Sequence, residues 1–200
     1  MNVEPLVLEG PEVRLEPLGV HHLEDLCAVG LVPDLWKLIP TNVENAGDMR
    51  TYIETALREQ AAGVSLPFAT IGKSTGCAIG STRFMNIERA HRRAEIGCTW
   101  IGPEWHRTRV NTEAKYLMLR HAFETWKCNR VELKTDSLNQ RSRHAILQIG
   151  AKQEGTFRNH MVVKEGRLRH TVYFSVIDSE WPAVKRSLEE KLSAPSAAAP

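Results

Sequence analysis

Residues Glu95 to Ala114 read E-I-G-C-T-W-I-G-P-E-W-H-R-T-R-V-N-T-E-A, a stretch that passes from a strand through a basic turn into the start of a helix. Ile96, Cys98 and Trp100 are spaced two apart, which is the period of a strand, and Gly102-Pro103 ends the pattern. The stretch therefore predicts a strand-turn-helix unit.

The helix after this turn is predicted to begin with Asn111 as its N-cap and to end near Lys127 to Asn129. Val131, Leu133 and Thr135 then alternate with polar residues, which indicates a second strand. Because a helical crossover normally joins parallel strands, we expect these two strands to be parallel.

The start of this helix is suited to bind an anion, because its first backbone N–H groups are unpaired and the helix dipole is positive there. Arg107 and Arg109 would add two guanidinium groups. The alternative is that the two arginines are simply solvated in a surface turn.

A second polar helix start follows the second strand. Asn139 can cap a helix whose inner face carries Ala145, Ile146 and Ile149 and which stops at Gly150. Both predicted helix starts then lie at the carboxyl ends of adjacent strands, where ligands bind in open α/β sheets.

The flanking sequence predicts a mixed domain around this core. Apolar spacing indicates an opening strand, two helices, a pair of strands, a late hairpin and a last helix capped by Ser179. In the same order, these elements are Val13 to Leu18, Leu23 to Cys27, Ile53 to Ala61, Leu66 to Ile71 with Cys77 to Phe84, Thr156 to Val163 with Leu168 to Ile177, and Trp181 to Leu192.

The ordered combination E-I-G-C-T-W-I, turn, N-T-E-A, and then T-D-S-L-N-Q-R-S-R-H-A-I-L-Q-I-G-A-K-Q-E-G resembles the GNAT superfamily of acyl-CoA-dependent N-acetyltransferases. Within it the chain is most similar to the Rim-type branch, whose founding members acetylate the N-termini of ribosomal proteins. The resemblance covers roughly residues 10 to 192. It implies an α/β (α+β mixed) fold in a single domain. The central twisted sheet would be mostly antiparallel and flanked by helices, with one parallel β-α-β crossover at the cofactor site.

The resemblance also implies the cosubstrate, acetyl-CoA without a metal, and the residues that hold it. Trp100 and Ile101 would offer main-chain contacts to the pantetheine arm, and Asn139 and Ser142 would lie on the pantetheine side near the thioester. The cradle for the pyrophosphate would consist of Arg107, Thr108, Arg109, Val110, Asn111 and Thr112.

Two departures from the family pattern affect this assignment. The superfamily turn reads Q/R-x-x-G-x-G/A, whereas Arg109 and Asn111 stand at the small-residue positions of this chain. Glycine permits close backbone approach, but an arginine can still offer its N–H if its dihedral angles are ordinary. Ile146 occupies the place of the tyrosine that protonates the departing thiolate in many members, so the usual proton donor is missing.

Acyl transfer to an amine needs a neutral amine, a polarised carbonyl and a stabilised leaving thiolate. Ser142 is a candidate to hydrogen-bond the sulfur, or it is a local capping residue. Glu95 is a candidate general base, directly or through water, or it is a solvated charge at a strand edge. Asp136 is a weaker candidate, because an Asp before a helix is usually a turn residue.

The acceptor pocket of the family lies between the first strand and the second helix. Trp36 would be a substrate-binding residue there or, alternatively, a core residue. On the late hairpin Arg158, His160, Arg169 and His170 alternate, so they could meet an acidic acceptor or simply form a polar face. A protein N-terminus, a polyamine, an antibiotic and an amino acid all stay open as acceptors.

Composition is consistent with one globular domain. The 200 residues are 42% hydrophobic and 25% charged, and the net charge of +2 argues against extended nucleic-acid binding. We predict the acetyltransferase domain at residues 1–192 and a disordered tail at 193–200. The four cysteines form no C-x-x-C pair and no stretch is apolar enough for a membrane span, so we expect a cytoplasmic protein, compatible with a homodimer.

Three functional classes follow from these observations. The first is transfer of an acetyl group from acetyl-CoA to a primary amine, by direct attack in a ternary complex. The second is an acyl-CoA-binding regulatory protein with weak or no transferase activity, which Arg109 and the missing tyrosine at Ile146 favour. The third is a nucleic-acid-associated protein, which the nearly balanced charge disfavours.

Overall fold

The structure, a computed structural model, describes residues 1–194 of the chain. Its strands are β1 (Leu8–Glu9), β2 (Val13–Pro17), β3 (Ser65–Gly72), β4 (Ala78–Glu88), β5 (Arg93–Ile101), β6 (Arg130–Asp136), β7 (Lys152–Val162) and β8 (Leu168–Ile177). Its α-helices are α1 (Leu23–Gly30), α2 (Pro33–Trp36), α3 (Ala46–Ala61), α4 (Val110–Arg120), α5 (Gln140–Gln148) and α6 (Trp181–Ser193).

The strands form one sheet in the order β1-β2-β3-β4-β5-β6-β8-β7. Strands β5 and β6 are parallel, and every other neighbouring pair is antiparallel. Helix α4 connects β5 to β6 and is prolonged by a π-helical turn, His121–Thr125. The mixed α/β architecture with one parallel β-α-β crossover is thus confirmed.

One side of the sheet, which we call the helix-covered face, packs against α4, α5 and α6. Its core joins alternate strand residues such as Phe84, Ile96 and Leu133 to helix residues such as Leu117 and Ile146. These apolar positions recur every second residue on the strands, so their burial fixes which side of each strand faces the helices.

The opposite side, which we call the cleft face, is covered by α1, α2 and α3 only over β3, β4 and β5. A second core lies there, in which the Trp36 ring packs at 5.2 Å from Trp100 and 5.9 Å from Tyr52, measured between ring centroids. Over β6, β8 and β7 the cleft face is open, and almost all of β7 is exposed. The open part borders the β5–β6 junction.

Two predicted helix caps are wrong. Helix α4 begins at Val110 rather than after Asn111, because Thr108 Oγ1 accepts the Val110 N–H at 3.3 Å and the Arg109 carbonyl accepts the first helical bond. Helix α6 begins at Trp181 with Glu180, not Ser179, as its N-cap. A proline in the first turn of α6 has a fixed φ suited to that position and moves the start of the helix.

The end of the chain is described only in part. Ser193 is the last residue of α6, so the predicted disordered tail at 193–200 begins inside a helix. Residues 195–200 lie outside the described residues.

Candidate functional site

The central feature of the site is a split between β5 and β6. The two strands pair only at their first residues, from Arg93 with Arg130 to Glu95 with Glu132. Both strands continue beyond this point, β5 to Ile101, without pairing to each other. Their facing backbone groups are therefore free to bind a ligand inserted between the strands.

A β-bulge in β5 lies beside the split. On β4 the residues Ser81 and Arg83 are two apart, but their partners on β5, Trp100 and Gly97, are three apart, and Cys98 between them has a φ of 48°. A bulge bends its strand and redirects the side chains near it. Gly80 permits the close approach of the strands here, since a Cβ on it would lie 2.2 Å from the Trp100 carbonyl oxygen.

The turn after β5 ends in an uncapped helix start. Among residues 1–194, the N–H groups of Asn111 and Thr112 have no hydrogen-bond partner. Arg109 is the N-cap, with ordinary dihedral angles of φ −73° and ψ −16°, whereas Arg107 adopts a left-handed φ of 64°. Glycine is thus not required at position 109, and the Arg109 backbone is compatible with an anion-binding turn.

The two arginine side chains of the turn behave differently. The Arg109 guanidinium donates a hydrogen bond to the Leu192 carbonyl at 3.1 Å, where it caps the C-terminal end of α6. The Arg107 side chain is exposed. We therefore expect Arg107 to contribute both its main chain and its guanidinium to an anion site. Arg109 should contribute its main chain alone.

His106 connects this turn to the start of α5. Arg141 Nη1 donates to His106 Nδ1 at 3.2 Å, which places the ring proton on Nε2, and that nitrogen donates to the Ile101 carbonyl at 3.1 Å. Burial and the Arg141 charge lower the pKa of His106. A neutral His106 thus ties the end of β5 to the second helix start.

The start of α5 has the cap that the sequence predicts. Asn139 Oδ1 accepts the Ser142 N–H at 3.0 Å. Within the described part of the chain, Asn139 Nδ2 and Ser142 Oγ have no partner, so both remain available beside the split. Ile146, one turn further on, is buried in the core of the helix-covered face and offers no proton donor.

These features allow a test of whether acetyl-CoA fits. A pantetheine arm carries amide groups that need backbone partners, and the split supplies unpaired strand edges of β5 and β6. A pyrophosphate needs N–H donors and positive charge, and the start of α4 supplies both. The donor set and its order along the cleft are consistent with this cosubstrate.

Glu95 lies on the cleft face just where the split begins, and it is only 6% exposed. Its carboxylate accepts from Lys134 Nζ and from Asn86 Nδ2, each at 2.7 Å. Burial lowers the pKa of Lys134, but the hydrogen bonds and charges of Glu95 and Tyr173 together outweigh burial and hold that pKa above its ordinary value. The alternative of a solvated Glu95 at a strand edge is therefore wrong.

Two buried arginines flank the split on the cleft face. Arg83 on β4 donates to Glu59 at 2.8 Å, and its guanidinium carbon lies 5.1 Å from the centroid of the Tyr52 ring. Arg169 on β8 is 6% exposed. In both arginines Nε is buried and has no hydrogen-bond partner in the described residues.

A cavity of about 410 Å³ opens on the cleft face below Glu95. Arg130 there pairs with Glu132 at 2.9 Å and with Glu154, and the Arg130 hydrogen bond lowers the pKa of Glu154 to about 2. The residues that line the cavity are Asn86, Glu88, Arg93, Ala94, Arg130, Glu132, Lys134, Glu154, Gly155, Phe157 and Tyr173.

Lys115 is buried under the opposite face of the sheet. Its Nζ donates to Thr99 Oγ1 at 2.6 Å and to Thr82 Oγ1 at 3.1 Å. Burial lowers the pKa of Lys115 to about 7. The amine thus joins β4 to the bulged part of β5 through two hydroxyl groups.

Sequence reasoning missed several of these groups. Arg83 is the one charged residue between Ala78 and Ile87, and a lone charge inside a predicted strand is the signal that could have identified it. Lys115 follows the N-T-E-A motif on the buried side of α4 and could have been found by helical periodicity. Asn86 and Lys134 contact Glu95 only because of the sheet order, which no local pattern contains.

Trp36 lies in the interior, where its Nε1 donates to the Gly30 carbonyl at 2.7 Å and its side chain is 1% exposed. This placement corresponds to core packing, so the Trp36 side chain offers no surface to an acceptor. It supports Trp100, whose main chain borders the split.

Two further features lie outside the split. Glu16, His21 and His22 group within 4.8 Å, but His22 Nδ1 already accepts the Gly19 N–H and its Nε2 pairs with Glu16. In residues 1–194 no helix has the length and apolar character to span a membrane.

Comparison with known proteins is consistent with this geometry. A family profile described as "Acetyltransferase (GNAT) domain" matches residues 12–152. The chain is 31% identical to the Bacillus subtilis protein named "Putative ribosomal N-acetyltransferase YdaF" over 71% of this chain and 78% of that protein.

Solved structures show the same fold. A GCN5-related N-acetyltransferase from Brucella melitensis is 34% identical, with a TM-score of 0.88 over 96% of this chain and 87% of that one. Mycobacterium smegmatis RimJ, solved in complex with CoA-disulfide, is 20% identical, with a TM-score of 0.79 over 94% of this chain and 95% of that one.

Proposed function

This chain belongs to the GNAT acetyltransferase family, in its Rim-type branch, and from that premise we propose that it transfers the acetyl group of acetyl-CoA to a primary amine. The observation that carries the proposal is the β5–β6 split, which opens between an uncapped helix start and the buried Glu95. The acceptor would be a protein N-terminus or a small-molecule amine.

We propose that acetyl-CoA is held along the split. The main chains of Trp100 and Ile101 would bind the pantetheine arm on one side, with Asn139 on the other. The Ile101 carbonyl already accepts from His106, which fixes its direction. The pyrophosphate would lie against the turn, bound by Arg107, Thr108, Arg109, Val110, Asn111 and Thr112.

Acetyl-CoA supplies a thioester, and the residues of this chain would prepare the amine and the leaving group. Glu95 is proposed to accept the proton of the amine through a water, because its carboxylate is fixed by Lys134 and Asn86 at the start of the split. Ser142 Oγ is proposed to donate a hydrogen bond to the leaving sulfur, which would replace the missing tyrosine. Direct attack in a ternary complex needs no covalent enzyme intermediate.

A second candidate function is a regulatory protein that binds acyl-CoA with weak or no transfer. The buried Ile146 at the position of the usual proton donor favours it. Such a protein would bind coenzyme A but release no thiol in the presence of amines.

The deciding experiment is a screen of acetyl-CoA turnover over an amine library, with detection of free thiol, combined with calorimetric titration of coenzyme A. We expect binding and turnover of at least one amine. Binding without turnover would support the regulatory alternative, and absence of binding would contradict both functions.

Alanine variants then test the assigned roles. Asn139→Ala should weaken coenzyme A binding and also cost about 1 kcal/mol of stability, because the N-cap is lost. Ser142→Ala should lower kcat and leave coenzyme A binding unchanged. Unchanged turnover in both variants would remove them from the mechanism.

The setting of this activity is also a proposal. We assign the activity to residues 1–192 as one acetyltransferase unit. A cytoplasmic location is compatible with four cysteines that are all free thiols.

A further inference from the structure

We propose that the acceptor carries a carboxylate close to its reacting amine and that Arg169 binds this carboxylate. The inference rests on the proposed acetyl transfer, since it names the class of amine that the same cleft takes. It is carried by a buried guanidinium without a partner at the open side of the split.

Arg169 faces the cleft. It lies on β8 two residues from Thr171 and four from Tyr173, so the period of the strand places all three on one side of the sheet. Tyr173 lines the cleft-face cavity. Thr171 pairs with Asp136, the last residue of β6, so Arg169 lies just beyond the end of β6, on the side where β5 and β6 do not pair.

The guanidinium of Arg169 has no ion-pair partner within 4.0 Å and makes no hydrogen bond in the described residues. Asp136 is nearby, but it is already paired with Arg167 at 2.5 Å and accepts the Leu138 N–H at 3.0 Å. Glu95 is likewise taken by Lys134. Both neighbouring carboxylates are therefore satisfied without Arg169.

An arginine that is buried and unpaired is unfavourable in a folded protein, because the charge loses its hydration without a compensating anion. Burial accordingly lowers the pKa of Arg169. Arg83, the other buried arginine of the cleft face, has Glu59 as its anion. The charges of Asp136 and Glu95 act on Arg169, but in the described residues no carboxylate contacts its guanidinium, and a bound ligand would supply that contact.

The position of Arg169 would place the carboxylate of a bound acceptor near the bulge of β5. Burial raises the pKa of the Cys98 thiol at the bulge, and the charges of Arg83 and Arg169 both oppose that rise. Both guanidinium groups therefore act on the bulge where the split meets the cleft face. A ligand carboxylate on Arg169 would hold its amine near Glu95.

A guanidinium binds a carboxylate through two parallel hydrogen bonds and so fixes its orientation. Two sources of such an acceptor have this chemistry, a free amino acid and a peptide whose first residue is Asp or Glu. Polyamines and other amines that carry no carboxylate would leave Arg169 unpaired and should be poor acceptors.

The test compares matched acceptors with acetyl-CoA at saturation. One pair is free L-amino acids against their carboxamides, and the other is C-terminally amidated peptides that begin with Asp or Glu against those that begin with Asn or Gln. We expect kcat/KM at least about tenfold higher for the carboxylate member of one pair, which identifies the source. Equal rates within both pairs would overturn the inference and leave acetyl transfer intact.

Variants assign the preference to Arg169. Arg169→Gln should abolish the preference by raising KM for the carboxylate acceptor, with KM for acetyl-CoA unchanged. Arg169→Lys keeps the charge but not the two-pronged geometry, so it should reduce the preference even if Arg169→Gln folds poorly. Arg158→Gln, an exposed arginine on the adjacent β7, is the matched control and should keep the full preference.

The remaining outcomes are also decisive. Retention of the carboxylate preference by Arg169→Gln would exclude Arg169 as the binding group. Binding of coenzyme A without turnover of any amine would instead contradict the proposed function, and this inference with it.

Discussion

Buried charges occur on both sides of the sheet, and the two sides use them differently. Under the helix-covered face, Glu113 accepts two backbone N–H groups at 2.7 Å and Lys115 donates to two threonine hydroxyls. On the cleft face, Glu95 and Arg169 are buried beside the split strand pair. The same types of side chain thus stabilise one face and are available to ligands on the other.

The difference lies in what satisfies each charge. Glu113 and Lys115 have partners that belong to the fold itself, so their removal should affect folding. Arg169 lacks such a partner, and Glu95, although Lys134 and Asn86 hold its carboxylate, lies where β5 and β6 stop pairing. Substitutions on the cleft face should therefore change activity more than stability, and those on the other side should do the reverse.

The largest effect is expected from Glu95→Gln. An amide cannot accept the proton of the amine, so kcat should fall by about 100-fold or more, with little change in KM for acetyl-CoA. Steady-state thiol release measures both constants. Glu113→Gln changes another buried glutamate, is the matched control and should retain kcat. Similar losses of kcat in the two variants would contradict the difference between the two faces.

Glu113→Ala should lower the free energy of unfolding by about 2 kcal/mol, because it leaves the N–H groups of Glu12 and Val13 without their acceptor. Urea denaturation of the variant and the parent measures this change. The kcat of the folded variant should be unchanged. A normal midpoint would mean that the carboxylate does not hold β2 in place.

Lys115→Met should remove a pH dependence of stability. Above pH 7 the Lys115 amine is neutral in the folded protein, whereas in the unfolded chain it stays protonated to about pH 10. Between these pH values the unfolded state binds more protons, so the free energy of unfolding rises with pH. The difference between the parent and variant curves should approach about 1.4 kcal/mol per pH unit. Parallel curves from pH 7 to about 10 would contradict a neutral buried amine.

The smallest effect is expected at the edge between the faces, in the turn before α4. Arg107→Gln should raise KM for acetyl-CoA by about threefold at low salt, because an exposed guanidinium contributes little to phosphate binding. The effect should vanish at high salt, where the charges are screened. An unchanged KM at low salt would mean that the Arg107 guanidinium does not act on the phosphate groups.

The sequence predicted the β-α-β crossover and the Asn139 cap because both depend on local signals. Alternating apolar residues define β5 and β6, and a single side-chain oxygen defines the start of α5. The Asn111 cap failed for an equally local reason, since Thr108 accepts the N–H of Val110 and α4 begins two residues earlier than the pattern predicts.

The ligand-facing charges were harder to predict. Arg169 was seen only as one of several cations on a hairpin, because its burial depends on β6, β7 and β8 meeting in the sheet. The pairing of Glu95 with Lys134 likewise joins two strands separated by a helix. Such contacts come from the order of strands, and one-dimensional spacing does not contain it.

The hydrogen bond from Arg109 to Leu192 joins positions 83 residues apart. Through this hydrogen bond, α6 holds in place the turn before α4, which lies much earlier in the sequence. This hydrogen bond can form only after α6 has been synthesised, and removal of the residues from Leu192 onward would free the Arg109 guanidinium. A change in the position of α6 would therefore act on the turn before α4 through this one hydrogen bond.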